Sequence, residues 1–237
     1  MVEAMTDFLL TDQCDAVMRL RLNRPQAANA LNRAMLAGIQ AALVAAREDG
    51  GVGAVLLCST GRAFCGGMDL NEAFDPVAAF SQQMRREMLS ATLAAMAEFP
   101  KPLVVAVQGP AVGAGCMLAF MADVLVADEA ARFSLPEVAL GMPTPIAATI
   151  AEWRGGASLA RHLVLGNGTS TAADMRVGAI SSDTGASLDY FAAVRTAALA
   201  RQPAHAFGPT KAWLARSIVQ QLEVATAEAK RIAERTM

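Results

Sequence analysis

The sequence predicts an α/β fold of repeated strand–helix–strand crossover units that gives way to a helical C-terminal region. Short continuous apolar runs at residues 54–58, 103–107 and 124–127 read as strands covered on both faces. The first two of these are each followed by a glycine-rich loop. From Ser158 onward the remaining pattern is helical.

Residues 14–22 alternate in the manner of a half-buried strand, with Met18, Leu20 and Leu22 on one face and Arg19 and Arg21 on the other. Asn23-Arg24-Pro25 breaks that strand. Asn29 or Asn32 can cap a helix running to about residue 48, with Leu36, Ile39, Leu43 and Val44 as its apolar stripe. Gly51 and Gly53 end it, and the strand at 54–58 completes a right-handed crossover. The order then repeats: a loop at 61–69, a helix at 80–98, a stop at Pro100-Lys101-Pro102 and a buried strand at 103–107. A second glycine-rich loop at 109–115 leads to a helix at 116–121 and a strand at 124–127. No sequence repeat accompanies this order, so the periodicity is architectural. Helices are expected at 159–165, 171–177, 188–201 and 211–235, interrupted by Gly166-Asn167-Gly168, Gly178, Gly185 and Pro203. The expected division is a core at 1–185 and a helical region at 186–237 that covers the site or mediates assembly.

The chain has 237 residues, 54% of them apolar, which suffices for a substantial core. The apolar excess is mostly alanine, with aromatics at 5%, a bias that suits close packing of helices. A formal charge of −2 and the absence of any basic run argue against a nucleic-acid partner. The four cysteines lack CxxC spacing and only His162 and His205 could join them, so no metal site is expected. Free thiols in a reducing compartment are the simpler reading. The start of the chain carries Glu3 and Asp7 rather than a signal pattern, and no apolar run is long enough to span a bilayer. These features predict a soluble cytoplasmic protein with no membrane partner.

The chemistry lies in the two glycine turns, Gly66-Gly67-Met68 and Gly113-Ala114-Gly115. Glycines after a buried strand let the backbone turn tightly and aim N–H groups at one point. The second turn also enters a helix, whose N-terminus favours negative charge. One such loop is an ordinary turn. Two after successive strands can hold one oxygen between two amide donors, the arrangement that stabilises an enolate or a tetrahedral adduct.

Four stretches then resemble the crotonase (enoyl-CoA hydratase/isomerase) superfamily in unbroken order over about residues 10–180. Asn23-Arg24-Pro25 with Asn29-Ala30-Leu31-Asn32 is similar to its N-R-P-x-x-x-N-A-L-N opening. Phe64-Cys65-Gly66-Gly67-Met68-Asp69-Leu70 resembles its F-x-A-G-x-D-L segment, and Lys101-Pro102-Leu103-Val104-Val105-Ala106-Val107-Gln108-Gly109 its K-P-x-I-A-A-V-x-G strand. Phe133-Ser134-Leu135-Pro136-Glu137-Val138-Ala139-Leu140-Gly141 is similar to its F-x-x-P-E-x-x-x-G. The resemblance implies a ββα superhelix with a helical C-terminal region, and a homotrimer or dimer of trimers. It implies a coenzyme A thioester as substrate, with no metal or redox cofactor. The oxyanion donors it assigns are the N–H groups of Met68 and Ala114. Acyl-CoA contacts fall on Arg24, Ala28, Asn29 and Gly66, with Gly67, Asp69, Leu70, Gly113, Met117 and Met142 also in the substrate site.

Departures from the family pattern decide which reaction to expect. Hydratases of the family use two glutamates, and their positions here hold Met117 and Glu137. Methionine cannot give or take a proton. A single carboxylate can still abstract a proton alpha to the thioester and return it elsewhere, which is isomerase chemistry. Leu135, Pro136 and Val138 around Glu137 predict partial desolvation and a raised pKa. The segment from Gly141 to Ala148 is poorer in glycine than the hydratase pattern, which predicts a reshaped acyl pocket. Family members commonly continue past the helix matching 211–235 with a segment that covers the CoA site of a neighbour, whereas this sequence ends at Met237.

Glu152 and His162 are further acid–base candidates, Asp69 is expected to orient its own loop, and Cys65 and Cys116 are expected to pack rather than react. Met117, Met121 and Met142 can line an adaptable acyl pocket. The expected activity is enoyl-CoA isomerisation. Hydration, decarboxylation or carbon–carbon bond formation on the same enolate, or acyl-CoA binding without catalysis, are the alternatives. A serine protease on a related scaffold is remote, because no serine follows the second glycine loop.

Overall fold

The computed structural model describes residues 8–74, 82–174, 179–181 and 187–236. In chain order its elements are β1 (Leu9–Cys14), β2 (Val17–Leu22), α1 (Arg33–Glu48), β3 (Ala54–Ser59), α2 (Leu70–Phe74), α3 (Gln82–Glu98), β4 (Leu103–Val107), β5 (Pro110–Val112), α4 (Ala114–Phe120), β6 (Val124–Ala127), β7 (Arg132–Ser134), α5 (Pro145–Ala160), β8 (Thr169–Ser170), β9 (Ala179–Ser181), α6 (Leu188–Leu199) and α7 (Ala204–Thr236). A large sheet runs β1-β2-β3-β4-β6-β9, and a small one β5-β7-β8. From β2 onward the neighbours in the large sheet are parallel, as the crossover pattern requires.

The alternating N-terminal segment is the second strand of a hairpin rather than a lone strand. β1 and β2 pair antiparallel from Leu9↔Leu22 to Cys14↔Val17, and Asp15 makes the turn at a φ of 50°. Aspartate tolerates that left-handed conformation. The strand β1 was not foreseen, because only its first residue is buried and its sequence does not alternate.

The continuous apolar runs have a simple cause. Val55 and Leu57 of β3, Val105 and Val107 of β4 and Leu125 of β6 join the main core, with α1, α3 and α4. Leu56, Cys58, Val104, Ala106 and Val126 face the other way and pack on Ala192 of α6. Side chains alternate across a strand, so a sheet covered on both sides needs apolar residues at every position. Helix α6 is thus the outer cover of the large sheet. Helix α7 packs against α3 and α5, burying Ala215, Ile218, Leu222 and Ala225 in the main core. Lys211 of α7 also reaches Asp123 at 2.7 Å, and the same carboxylate accepts from the Leu103 N–H at 2.8 Å, which ties α7 to the start of β4.

Asn32 is the cap of α1, its side chain accepting from the Met35 N–H at 2.9 Å. The buried stripe is Met35, Leu36, Ile39, Ala42, Leu43 and Ala46; Val44 is 53% exposed. The helical repeat prefers the small Ala46 to Val44, which flanks the stripe.

Several other expectations are corrected. Helix α4 begins at Ala114, not at 116, because Gly113 at φ 53° is its cap. The chain is already helical from Pro145, ahead of the helical stretch expected from Ser158; this helix is broken at Gly156 (φ 78°) and passes into a π-helical turn, Arg161–Leu165. Proline at the first position after Thr144 is the start signal that could have revealed it. The expected helix at 171–177 opens instead as a turn, in which Asp174 accepts from the Thr171 N–H and Oγ1, both at 2.8 Å. The start of the helix at 80, the end of the one at 171–177, the glycine breaks at 178 and 185 and the division at 185 lie outside the described residues.

The loop from Arg24 to Asn29 is held from inside. Asn29 is fully buried; its Oδ1 accepts from the Arg24 N–H at 2.7 Å, and its Nδ2 donates to the carbonyls of Thr60 (2.8 Å) and Ala63 (2.9 Å). Ala28 and Asn29 both sit at positive φ, 48° and 53°, a conformation that persists only where such contacts impose it. Asn29→Ala is therefore expected to lower stability by roughly 2–4 kcal/mol, since it removes a hydrogen bond from each of three partly buried backbone groups. Urea unfolding measures this, and a loss under about 0.5 kcal/mol contradicts the assignment.

Candidate active site

The two glycine turns lie against each other. Cys65 forms a parallel bridge with Ala111, and its carbonyl accepts from the Val112 N–H at 2.9 Å. A methyl group on Gly115 would fall 2.4 Å from the Cys65 carbonyl oxygen, so only glycine admits this approach. At the rim, a methyl on Gly67 (φ 102°) would lie 3.1 Å from the Val112 oxygen and 3.8 Å from the Ala114 nitrogen. The first turn is braced on its other side by Leu31, which bridges Met68: the Leu31 N–H donates to the Gly67 carbonyl at 2.7 Å and the Asp69 N–H donates to the Leu31 carbonyl at 2.9 Å.

That bracing leaves the Met68 N–H pointing away from Leu31, with no hydrogen-bond acceptor among the described residues. The Ala114 N–H is equally open, since the first residue of a helix has no intrahelical acceptor. In both cases the carbonyl of the same peptide group is engaged: Gly67 O by the Leu31 N–H, Gly113 O by the Met117 N–H at 3.0 Å. Such chains polarise the peptide and strengthen its free donor.

Glu137 faces this pair. Its Oε1 is 2.9 Å from where a side-chain carbon on Gly113 would be, so the carboxyl lies directly over the second turn. Its Oε2 is buried with no hydrogen-bond partner. Desolvation raises its pKa above the ordinary 4.5, opposed only by its own backbone N–H. No other described ionisable group shifts it. Beyond Glu137 the chain doubles back, the Met142 N–H donating to the Glu137 carbonyl at 2.8 Å.

The cysteines are not poised to react. Burial pushes the Cys65 thiol up to about 12, and burial together with the nearby Glu137 charge pushes Cys116 well above its ordinary value. Cys116 as a neighbour of the carboxylate was not anticipated; it follows from Gly113 and Cys116 both standing on the first turn of α4.

Of the residues singled out in the sequence, Gly66, Gly67, Met68, Asp69, Gly113, Ala114 and Glu137 come together. Ala28 joins them, its carbonyl accepting from the Gly66 N–H at 2.8 Å. Asp69 orients its own loop as expected, accepting from the Asn71 N–H at 3.0 Å and pairing with Arg24 at 2.9 Å. Arg24 also donates to the Ala30 carbonyl at 2.7 Å. The side chains of Arg24 and Asn29 therefore brace the loop, and that of Asn29 is fully buried. Met117 is buried within α4, whereas Leu70 and Met142 are exposed. Met121 closes the far end of α4, where it lines a separate cavity of about 560 Å³ with Trp153, Phe207 and Leu214. Glu152 and His162 are on the surface of α5 and its π-helical extension, and neither perturbs Glu137. Among the described residues no cluster of acidic, histidine and cysteine side chains has the makings of a metal site, and no helix is long and apolar enough to cross a membrane.

A ββα winding with paired backbone donors at two glycine turns and a carboxylate over one of them defines a crotonase-type site. Residues 12–237 match the enoyl-CoA hydratase/isomerase family, and the chain belongs to it. It is 40% identical over 176 residues to the 2,3-dehydroadipyl-CoA hydratase of Escherichia coli K12, covering 74% of this chain and 68% of that protein. It is 33% identical over 142 residues to the 1,2-epoxyphenylacetyl-CoA isomerase of the same organism, covering 58% of this chain and about half (54%) of that one. Among solved structures, an enoyl-CoA hydratase from Mycobacterium avium subsp. paratuberculosis superposes with a TM-score of 0.81 at 26% identity, over 94% of this chain and 91% of the other. An enoyl-CoA hydratase/isomerase from Xanthobacter autotrophicus Py2 gives 0.78 at 27%, over 95% and 85%.

The partly buried setting of Glu137 makes a stability prediction. Its raised pKa means that the folded state accommodates the neutral acid more easily than the anion. That stabilisation is complete below the unfolded value near 4.5 and is lost as pH rises through the folded value. Glu137→Gln should then melt higher than wild type at pH 8, with the advantage shrinking toward pH 4.5. Thermal melts at the two pH values test this; an advantage that is absent at pH 8 contradicts it.

Proposed function

We propose that the chain is an enoyl-CoA isomerase that moves a double bond from the 3- to the 2-position of an acyl-CoA through a thioester enolate. The thioester oxygen sits between the N–H groups of Met68 and Ala114, which take up the negative charge as it develops. Glu137 removes a proton from the carbon alpha to the thioester and returns it two carbons further along the chain. The proton that leaves is the proton delivered, so neither water nor a redox cofactor enters the balance.

Glu137 carries this reading: it is a desolvated carboxyl over Gly113 with no second ionisable group shifting it among the described residues. Hydration in the two-carboxylate manner needs another group to position and deprotonate water, and Met117, 4% exposed, offers none. A raised pKa also matches a base that must take a proton and then release it. The proposed enzyme is cytoplasmic and assembles as a homotrimer or a dimer of trimers, with the acyl-CoA as its only small-molecule partner.

Hydration of a 2-enoyl-CoA is the second reading, and it is favoured by relatives named as hydratases, the 40% identical 2,3-dehydroadipyl-CoA hydratase among them. Purified protein supplied separately with 3-enoyl-CoA and 2-enoyl-CoA separates the two. Isomerisation of the first without hydration of the second is the expected result, and hydration without isomerisation overturns the proposal. Glu137→Gln should reduce isomerase turnover at least about 100-fold. The kcat/KM of the wild type should rise with pH through an apparent pKa above 4.5. Tight acyl-CoA binding with no turnover of any thioester would instead identify a binding protein.

A further inference from the structure

Arg85, on α3, is 7% exposed, yet among the described residues it forms no salt bridge. Its Nη2 donates to the Asp69 carbonyl at 2.7 Å, and its buried Nε has no acceptor among the described residues. Burial lowers its pKa against the opposing charges of Glu72 and Asp69. An apolar side chain would fill the same space without desolvating a cation. The guanidinium is therefore explained by what it holds rather than by the packing of α3.

What it holds is the end of the first glycine turn. Every polar group of Asp69 is tied: N–H to Leu31 O at 2.9 Å, Oδ1 from the Asn71 N–H at 3.0 Å, Oδ2 to Arg24 at 2.9 Å, and the carbonyl to Arg85. On the other side of Met68, the Gly67 carbonyl is tied to the Leu31 N–H at 2.7 Å. Between these fixed points stands the open Met68 N–H. Three of the ties come from the loop itself or from the 24–31 segment before it. Arg85 alone reaches in from α3 and brings a buried positive charge to the turn.

We propose that Arg85 is a positioning residue of the anion hole: by holding the Asp69 carbonyl it fixes the direction of the Met68 N–H, and its charge favours the enolate over the neutral thioester. This rests on the assignment of Met68 and Ala114 as thioester donors. Interactions that strengthen as charge develops act on kcat more than on binding.

The readout is carbonyl polarisation. A 2,4-dienoyl-CoA labelled with carbon-13 at the thioester carbonyl is bound to wild type, Arg85→Met and Arg85→Lys, and isotope-edited difference infrared spectra give the carbonyl stretch. In the wild type the band should move to lower frequency on binding. Arg85→Met should retain less than about half of that shift and lose about tenfold to hundredfold in kcat, with the dissociation constant within about threefold of wild type. Arg85→Lys, which keeps the charge and a donor, should fall between. A wild-type shift and wild-type kcat in Arg85→Met overturn the proposal, as does a loss of binding as large as the loss of kcat, which marks a purely structural role. If Arg85→Met does not fold, Arg85→Lys decides, and a full shift with full turnover overturns. No shift in the wild type overturns the donor assignment itself.

Discussion

The site depends on how closely two stretches of backbone approach each other at Cys65 and Gly115. A single methyl on Gly115 would overlap the Cys65 carbonyl, Cβ and Sγ, all within 2.8 Å. Because that methyl is absent, Cys65 can bridge Ala111, β5 can start the small sheet, and Gly67 comes to rest beside Ala114. The two open N–H groups have separate local causes on either side of that contact. One is released by the parallel bridge of Met68 to Leu31, the other by the start of α4 at Gly113. The donors are backbone atoms fixed by sheet pairing and helix initiation, so no side-chain entropy is lost in aligning them.

Around these donors the electrostatics are arranged by exclusion of water. Both nearby thiols are held protonated, which removes them as nucleophiles. Glu137 carries an unpartnered buried oxygen, and its proton affinity is set by desolvation rather than by a charged neighbour. A carboxylate in that condition is a stronger base than one in water, and it has lost solvation that a substrate proton can replace. At Asp69, the partly exposed Arg24 and the buried Arg85 bring two guanidinium groups to the end of the first turn. Charged neighbours are thus few around Glu137 and gathered at Asp69, next to the open Met68 N–H.

Much of this was legible in the sequence, for physical reasons. Glycines at 67, 113 and 115 stand where a Cβ would be strained or would clash, and apolar runs at β3, β4 and β6 reflect a sheet buried on both faces. Glu137 was found through its motif, and its desolvation through its apolar neighbours. Other features left weaker traces. β5, at three residues, is shorter than any periodic pattern can reveal, and β1 hides because the sheet edge is solvated. Arg24 and Asn29 also hold their own loop by hydrogen bonds to the Ala30, Thr60 and Ala63 carbonyls, a bracing role that a motif does not reveal because it fixes which residues are present and not which way they point. Arg85 gave no signal, because a buried arginine next to Arg86 and Glu87 looks like a surface one.

A structure of the protein with a bound, slowly reacting acyl-CoA tests the central claim most directly. The account predicts the thioester oxygen roughly 2.7–3.1 Å from both the Met68 and Ala114 nitrogens, with the Glu137 carboxyl turned toward the carbon alpha to it. A thioester oxygen bound away from either nitrogen, or an alpha carbon out of reach of Glu137, would contradict it.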